Sequence, residues 1–222
     1  TGSDGTMHEI LKTLGVPMTT LKPALVALLS PHSLKDLSGL SFPARFQLKP
    51  DQRRSKRENK VHAGEGTILI TEDGFSGPEL LNRSRTLNGA GGTLELELFP
   101  DLSPKPYRQA KHKEGLRTLL HAQYPDIPDR LIKRLLQFVQ AEHMRAPFDP
   151  TELQSKLDAL SRLTFRIDGP EPITKARITR GGVDLKAVDP QSMEIKGFPG
   201  LYVAGELLDI DGESGGYNLQ AA

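Results

Sequence analysis

Residues 200–220, GLYVAGELLDIDGESGGYNLQ, contain the pattern that decides the fold. The run at 201–204 is almost entirely apolar, which predicts a strand buried in the middle of a parallel sheet. Gly205 and Glu206 follow this run directly. A small residue lets a flat ligand approach the backbone, and a carboxylate at this place can accept hydrogen bonds from ribose or ribityl hydroxyls.

A second glycine-rich feature follows a few residues later. Gly215 and Gly216 precede Tyr217 and Asn218, and this order predicts a helix that begins near Tyr217. The N-terminus of a helix carries unpaired N–H groups and partial positive charge, which suits the electron-rich N1/O2 edge of a reduced flavin. The alternative is an ordinary glycine-rich turn between a strand and a helix. Because both features occur in the right order, we favour a cofactor site.

Bulk composition limits the class of protein. The 222 residues suit one large domain or two smaller ones, and 36% hydrophobic with 26% charged residues indicates a folded globular chain. A net charge of +1 gives no overall attraction to nucleic acid or anionic lipid. The sequence contains no cysteine, which rules out disulfides within the chain and fits a reducing, cytoplasmic compartment. The longest apolar run, residues 24–29, is too short for a membrane span, so we expect no membrane partner.

Other kinds of site fit the sequence less well. Asp209, Asp211 and Glu213 alternate as in a calcium loop, but Ser214 and Gln220 occupy the positions where such a loop needs glycine and glutamate. The histidines show no HExxH spacing, and no GxSxG motif marks a serine hydrolase. We therefore predict no metal site, and we assign no catalytic acid, base or nucleophile.

Basic residues are concentrated at 53–60, where five lysines and arginines occur without an aromatic residue. One interpretation is a nucleic-acid patch, and the other is a solvated hairpin loop. The balanced net charge of the whole chain favours the loop. We therefore expect no nucleic-acid partner.

The order of secondary structure indicates the fold class. Residues 93–98 alternate between polar and apolar side chains, which predicts a strand with one wet face. Helical spacing dominates from 104 to 162, where Asp126 is predicted to cap one helix and Asp149 with Glu152 to form the capping box of another. Strand-like segments return after this block. Strands, then helices, then strands predict an α+β fold.

These motifs together resemble the aminoacetone oxidase-like (BaiN/YhiN-type) bacterial flavoproteins. The resemblance is carried by Gly181-Gly182-Val183, Met193-Glu194, Gly200-Leu201-Tyr202, Gly205-Glu206, Asp209, Gly212 and Gly215-Gly216-Tyr217-Asn218-Leu219-Gln220. Residues 1–6, 21–26 and 71–78 are also similar to segments of that family. The resemblance spans essentially the whole chain, and its C-terminal motif is highly specific.

The resemblance implies a Rossmann-like α/β FAD-binding domain interrupted by an inserted β-barrel and a helical subdomain. Residues 1–20 and 171–222 would be partial segments of the FAD-binding domain. The inserted barrel would comprise 21–103, with 163–170 as its return strand, and the helical subdomain would comprise 104–162.

The resemblance also implies FAD as the cofactor, with Gly205 and Glu206 at the end of the strand. Glu206 corresponds to the acidic residue that contacts the ribityl or nearby hydroxyls of the flavin. The loop and helix start that face the isoalloxazine correspond to Gly215, Gly216, Tyr217 and Asn218. Glu72 and Asp73 lie where many relatives carry a histidine or an aromatic residue, so we assign no catalytic role to that turn.

The N-terminal strand–GxGxxG–helix unit of the family is missing from these 222 residues. Because that unit binds the pyrophosphate, we interpret the sequence as a fragment of an FAD-dependent oxidoreductase that does not itself retain FAD. The expected substrate is a small molecule, either an amine or an activated double bond. The alternative is an isolated barrel and helical module without catalytic activity of its own. We also expect self-association through exposed strand edges of the truncated domain.

Overall fold

The computed structural model describes residues 4–51, 61–87, 89–111 and 113–221. The strands in these ranges are β1 Lys22–Ala24, β2 Leu28–Leu29, β3 Ser41–Pro50, β4 His62–Ile70, β5 Gly74–Ser76, β6 Gly92–Glu97, β7 Leu163–Ile167, β8 Gly169–Pro170 and β9 Ile178–Arg180. The α-helices are α1 Thr6–Thr13, α2 Pro78–Ser84, α3 Lys105–Arg108, α4 Leu116–Gln123, α5 Asp129–Phe138, α6 Pro150–Ser161 and α7 Tyr217–Ala221. Short 3-10 helices include Arg85–Leu87 and Gly205–Leu207. The mixed content of helices and strands agrees with the expected α+β class.

The longest strands pair in an antiparallel sheet because their side chains alternate between a buried and a more exposed face. In β3 the buried side chains are Phe42, Ala44, Phe46 and Leu48. β3 pairs with both β4 and β6, so it lies inside the sheet. The alternation predicted at 93–98 is confirmed, since Leu94 and Leu96 of β6 are buried and the intervening glutamates are only partly so.

The first and last strands of this sheet follow one another directly in the chain, which requires the sheet to curl. The strand order is β7-β6-β3-β4-β5-β2-β8, and its end strands β7 and β8 are one stretch of chain separated by Asp168, whose N–H donates to the Leu29 carbonyl at 2.9 Å. β8 pairs with β2 over only two residue pairs. The described strands pair in a linear order, and the two end strands do not pair with each other to close a ring. The predicted closed barrel is not confirmed, and the structure shows a curled antiparallel sheet.

The helices of the middle segment pack their apolar stripes against the same core as the sheet. The buried residues of α5 are Leu131, Ile132, Leu135 and Leu136, and those of α6 are Leu153, Leu157 and Leu160. They share one hydrophobic cluster with Phe46 and Leu94 of the sheet. None of the helices in the described part of the chain combines the length and the hydropathy needed to cross a membrane.

The starts of α5 and α6 differ in how well the sequence predicted them. Asp149 is the N-cap of α6, as expected, and its Oδ1 accepts the Glu152 N–H at 2.8 Å. Asp126 was predicted to cap α5, but the N-cap is Pro128 and the helix begins at Asp129. A residue that precedes proline is disfavoured in the α conformation, which prevents the helix from starting earlier.

The two terminal segments share a second, smaller hydrophobic cluster. Leu11 of α1 and Val16 pack there with Val183 and Val203. In addition, β1 and β9 pair antiparallel in a two-stranded sheet that is separate from the curled one. The beginning and the end of the described chain are therefore packed together, while the predicted domain boundaries stay predictions.

Residues 201–204 do not form the central parallel strand that their apolar character predicts. Tyr202 makes one antiparallel bridge to Glu194, and the Val203 N–H donates to the Met193 carbonyl at 3.0 Å. An apolar run can be buried without being a strand, because a strand also needs a neighbour along its whole length. Here Val203 is buried while Tyr202 is 62% exposed, so the segment packs on one side only.

Candidate cofactor-binding site

The motif Gly181-Gly182-Val183 positions the segment that follows residue 204. The Val183 N–H donates to the Leu207 carbonyl at 2.8 Å, and the Asp209 N–H donates to the Val183 carbonyl at 3.1 Å. Gly182 has a φ of +145°, and a Cβ at this position would lie 2.4 Å from the Leu207 carbonyl oxygen. Only glycine allows so close an approach of two backbones.

Gly205 and Glu206 form the start of a 3-10 helix directly after the apolar run. Gly205 has a φ of +62°, a conformation that favours glycine. The Oε1 atom of the half-buried Glu206 accepts the Thr179 N–H at 2.9 Å, which ties this segment to β9. A carboxylate offers roughly four acceptor positions, so Glu206 can keep this bond and also accept a hydroxyl of a ligand. Its predicted role at the flavin stays a prediction.

The glycine pair leaves open space beside its backbone. Gly215 and Gly216 have φ values of +118° and +94°. A Cβ at Gly216 would meet no atom within 4 Å, and one at Gly215 would meet only the Tyr217 ring at 3.7 Å. α7 begins at Tyr217, as predicted, and is 5 residues long. Tyr217 and Leu219 are 67% and 86% exposed, so the surface beside the glycine pair is apolar and uncovered by the described residues.

The side chain of Asn218 closes the loop that precedes α7. Its Oδ1 accepts the Gly212 N–H at 2.7 Å, and its Nδ2 donates to the carbonyls of Gly212 and Glu213 at 3.2 and 3.3 Å. A Cβ at Gly212 would lie 3.0 Å from the Cβ of Tyr217, so this position has little room for a side chain. The Asn218 amide is used within the loop, and the predicted contact of this residue with a flavin would fall to its backbone.

Two residues that the sequence interpretation missed hold this loop from outside. Asn82 belongs to α2, and its Oδ1 accepts the Ser214 N–H at 2.7 Å. Arg85 lies just after α2; its Nη1 is 2.9 Å from Asp211 Oδ2, and its Nη2 donates to the Gly212 carbonyl at 2.9 Å. These hydrogen bonds join residues 132 and 127 positions apart, and no local pattern signals such pairs.

Of the other residues that the sequence singled out, Asp211 takes part in these contacts, whereas Glu72 and Asp73 do not. Asp211 pairs with Arg85, which is a different use of this carboxylate from the calcium loop considered for it. Glu72 and Asp73 are exposed at the turn before β5. The basic run at 53–60 lies outside the described residues.

The residues present fit the isoalloxazine and ribityl end of FAD. Little shields the backbone of the glycine pair, and the exposed side chain of Tyr217 offers an apolar surface beside it. The Glu206 carboxylate supplies a hydroxyl acceptor. The sequence has no GxGxxG turn, so the pyrophosphate would need a binding site of another kind or in another part of the protein. The arrangement therefore suits one end of the cofactor.

Three named proteins are similar to the chain over nearly all of its length. It is 29% identical over 212 residues to a ribosomal RNA dihydrouridine synthase of Escherichia coli (strain K12), with 93% of this chain and 48% of that protein covered. It is 27% identical over 236 residues to a 3-dehydro-bile acid delta(4,6)-reductase of Clostridium scindens, with 100% of this chain and 56% of that protein covered. A ribosomal RNA dihydrouridine synthase of Haemophilus influenzae is 26% identical over 223 residues, with coverages of 97% and 52%.

The chain spans about half the length of these relatives. The family profile described as the HI0933-like protein Rossmann domain matches residues 1–222, which is the entire sequence. This match includes the Gly181-Gly182-Val183 motif, the segment at 205–206 and the glycine pair. The chain therefore belongs to the HI0933-like family of Rossmann-domain proteins, the BaiN/YhiN-type flavoprotein family that its motifs resemble.

Proposed function

We propose that the chain is the flavin-facing part of an FAD-dependent oxidoreductase that reduces a carbon–carbon double bond conjugated to a carbonyl group. The observation that carries this proposal is the arrangement of Glu206 and the glycine pair in a chain that belongs to the family along its entire sequence. We call a protein of the relatives' length that contains this chain the whole protein.

The names of the relatives favour the double bond over the amine as the substrate. Dihydrouridine is uridine with its 5,6 double bond reduced, and that bond is conjugated to a ring carbonyl. A delta(4,6)-reductase of 3-dehydro bile acids acts on ring double bonds near a 3-oxo group. Both names describe the addition of two hydrogens to a polarised double bond. A hydride donor suits this reaction because the carbonyl stabilises the charge that develops.

Bound FAD would supply the hydride chemistry, while this chain would bind and orient the ring. Glu206 would accept a hydrogen bond from a ribityl or ribose hydroxyl, and the backbone of Gly215 and Gly216 would let the ring approach closely. Tyr217 would cover part of the ring and exclude water from that side. None of these residues is assigned as the proton donor.

The ADP end of FAD would be held elsewhere in the whole protein, because the pyrophosphate normally rests on a glycine turn and a helix N-terminus. The 222-residue chain alone is therefore proposed to purify without FAD. In this form it would be a folded module without activity of its own, and strand edges of the terminal segments would pair with a second copy.

Two substrate classes compete within this proposal. The net charge of +1 favours a small molecule, whereas the names of two relatives and the basic run at 53–60 favour the uracil ring of an RNA. We expect the small molecule, because the rest of the chain offers no excess of positive charge to attract phosphates.

Anaerobic reoxidation of the reduced flavin tests the reaction class. The whole protein is reduced with dithionite and mixed with a steroid enone, with a uridine-containing RNA or with the saturated analogue of the enone as a control. Rapid reoxidation by the enone, with a product heavier by two hydrogens, is expected. If only the RNA reoxidises the flavin, the substrate is the uracil ring of an RNA and not a small molecule. If neither compound reoxidises the flavin while an amine reduces the oxidised enzyme, the proposal fails in favour of amine oxidation.

A further inference from the structure

We infer that Asn82 and Arg85 are positioning residues for the flavin site, which they serve by fixing the loop 211–214 on the curled-sheet part of the molecule. This inference rests on the proposed function, because it names the residues that set the geometry of the same site. Neither side chain lies within the motif that identifies the site in the sequence.

Asn82 is well suited to this role because it is buried on a rigid element. It is 6% exposed, and its neighbours Leu80 and Leu81 on α2 are buried at 0% and 5%. Two features fix α2 against β4. Pro78 lies in the first turn of the helix, and Gly77 approaches β4 so closely that a Cβ there would lie 2.1 Å from the Thr67 carbonyl oxygen. The hydrogen bond from Ser214 to Asn82 therefore ties the loop to a part of the structure with little freedom to move.

Arg85 makes two different contacts with the same loop. Its charge pairs with Asp211 at 2.9 Å, where the two side chains are 25% and 16% exposed, and its Nη2 donates to the Gly212 carbonyl. A planar guanidinium can make both contacts at once, whereas an ammonium group presents a single point of charge. Asn218 donates to the same carbonyl and accepts the Gly212 N–H, so this glycine is hydrogen-bonded to two side chains.

The same network reaches the other part of the proposed site. The Arg180 side chain of β9 donates to the Arg85 carbonyl at 3.3 Å, and the neighbouring Thr179 N–H donates to Glu206. The Glu206 carboxylate and the loop before the glycine pair are therefore held by one connected set of hydrogen bonds. Because both are proposed to contact one rigid ring, a displacement of the loop by about 1 Å would weaken the contacts of Gly215 and Gly216 even if their own sequence is intact.

The test combines amide hydrogen exchange in the 222-residue chain with FAD affinity in the whole protein. Asn82→Leu removes the acceptor at similar volume, and Asn82→Asp keeps an acceptor oxygen. Arg85→Met and Arg85→Lys form a second pair, and Asp211→Asn removes the charge partner without altering α2. The matched control is Arg134→Met, because the ion pair of Arg134 with Asp36, at 3.2 Å, lies on exposed side chains outside this network.

We expect Asn82→Leu to accelerate exchange of the Ser214 amide by about tenfold, because its hydrogen bond is lost. The dissociation constant for FAD should also rise by about tenfold, because the loop that this hydrogen bond held in place must then be ordered when FAD binds. Asn82→Asp should restore most of the slow exchange and most of the FAD affinity. Arg85→Lys should restore less than half of what Arg85→Met loses in these two measurements, and Arg134→Met should change neither exchange nor affinity. Unchanged exchange at Ser214, or faster exchange with unchanged FAD affinity, would overturn the positioning role. If the unaltered whole protein binds no FAD, the proposed function fails. The exchange rates still decide whether Asn82 and Arg85 hold the loop 211–214.

Discussion

In the whole protein, Glu206→Ala is expected to raise the dissociation constant for FAD by roughly one to two decades. A hydrogen bond to a charged acceptor contributes about 1.5–3 kcal/mol, which corresponds to that range of affinity. Because the Thr179 N–H also donates to Glu206, alanine removes a structural contact together with the proposed cofactor contact. The measurement is a titration of the apoprotein with FAD, in which the quenching of flavin fluorescence reports binding.

Glu206→Gln separates the two roles of this carboxylate. Glutamine keeps an amide oxygen that can accept the Thr179 N–H, but it removes the negative charge offered to the ligand. We therefore expect a smaller loss of affinity than for alanine and no change in the unfolding midpoint. Equal FAD affinity in the wild type and in Glu206→Ala would exclude a contact between this carboxylate and the cofactor.

A second large effect is expected from Gly182→Ala, which should lower the free energy of unfolding by roughly 2–6 kcal/mol. The new Cβ would lie 2.4 Å from the Leu207 carbonyl oxygen and 2.9 Å from the carbonyl carbon of Leu208. The residue would also hold a φ of +145°, which strains any side chain. Overpacking and backbone strain each cost on the order of 1–3 kcal/mol. Urea unfolding of the 222-residue chain measures the change through its midpoint.

Gly197→Ala is the matched control for the steric part of this effect. Gly197 also has a positive φ, +85°, but a Cβ there would meet no atom within 4 Å. This variant therefore carries backbone strain without the clash, and we expect it to lose at least about 1 kcal/mol less than Gly182→Ala. Equal losses in the two variants would show that the backbone approach of Gly182 to Leu207 is not a tight contact.

Local features of the fold could be predicted from the sequence because their causes are local. The capping of α6 by Asp149 depends on residues within one turn, and the alternation of β6 follows from the period of a strand. The start of α7 at Tyr217 is set by the two glycines before it. Family membership was also predictable, because it depends on motifs and not on packing.

Features that depend on distant partners could not be predicted in the same way. Residues 201–204 have the composition of a buried strand, but the pairing partner decides the outcome, and Tyr202 meets only Glu194. The closure of a barrel depends on how many residue pairs β2 and β8 share. The spacing of apolar residues along the sequence does not indicate that number. The contacts of Asn82 and Arg85 with the loop join polar residues far apart in the chain, and each residue alone is typical of a helix end.

A crystal structure of the whole protein with FAD would show whether residues 205–218 hold the flavin end of the cofactor. We expect the isoalloxazine to lie against the backbone of Gly215 and Gly216, with the Glu206 carboxylate within hydrogen-bond distance of a ribityl or ribose hydroxyl. A flavin bound elsewhere, with the glycine pair open to solvent and Glu206 bonded only to Thr179, would contradict it.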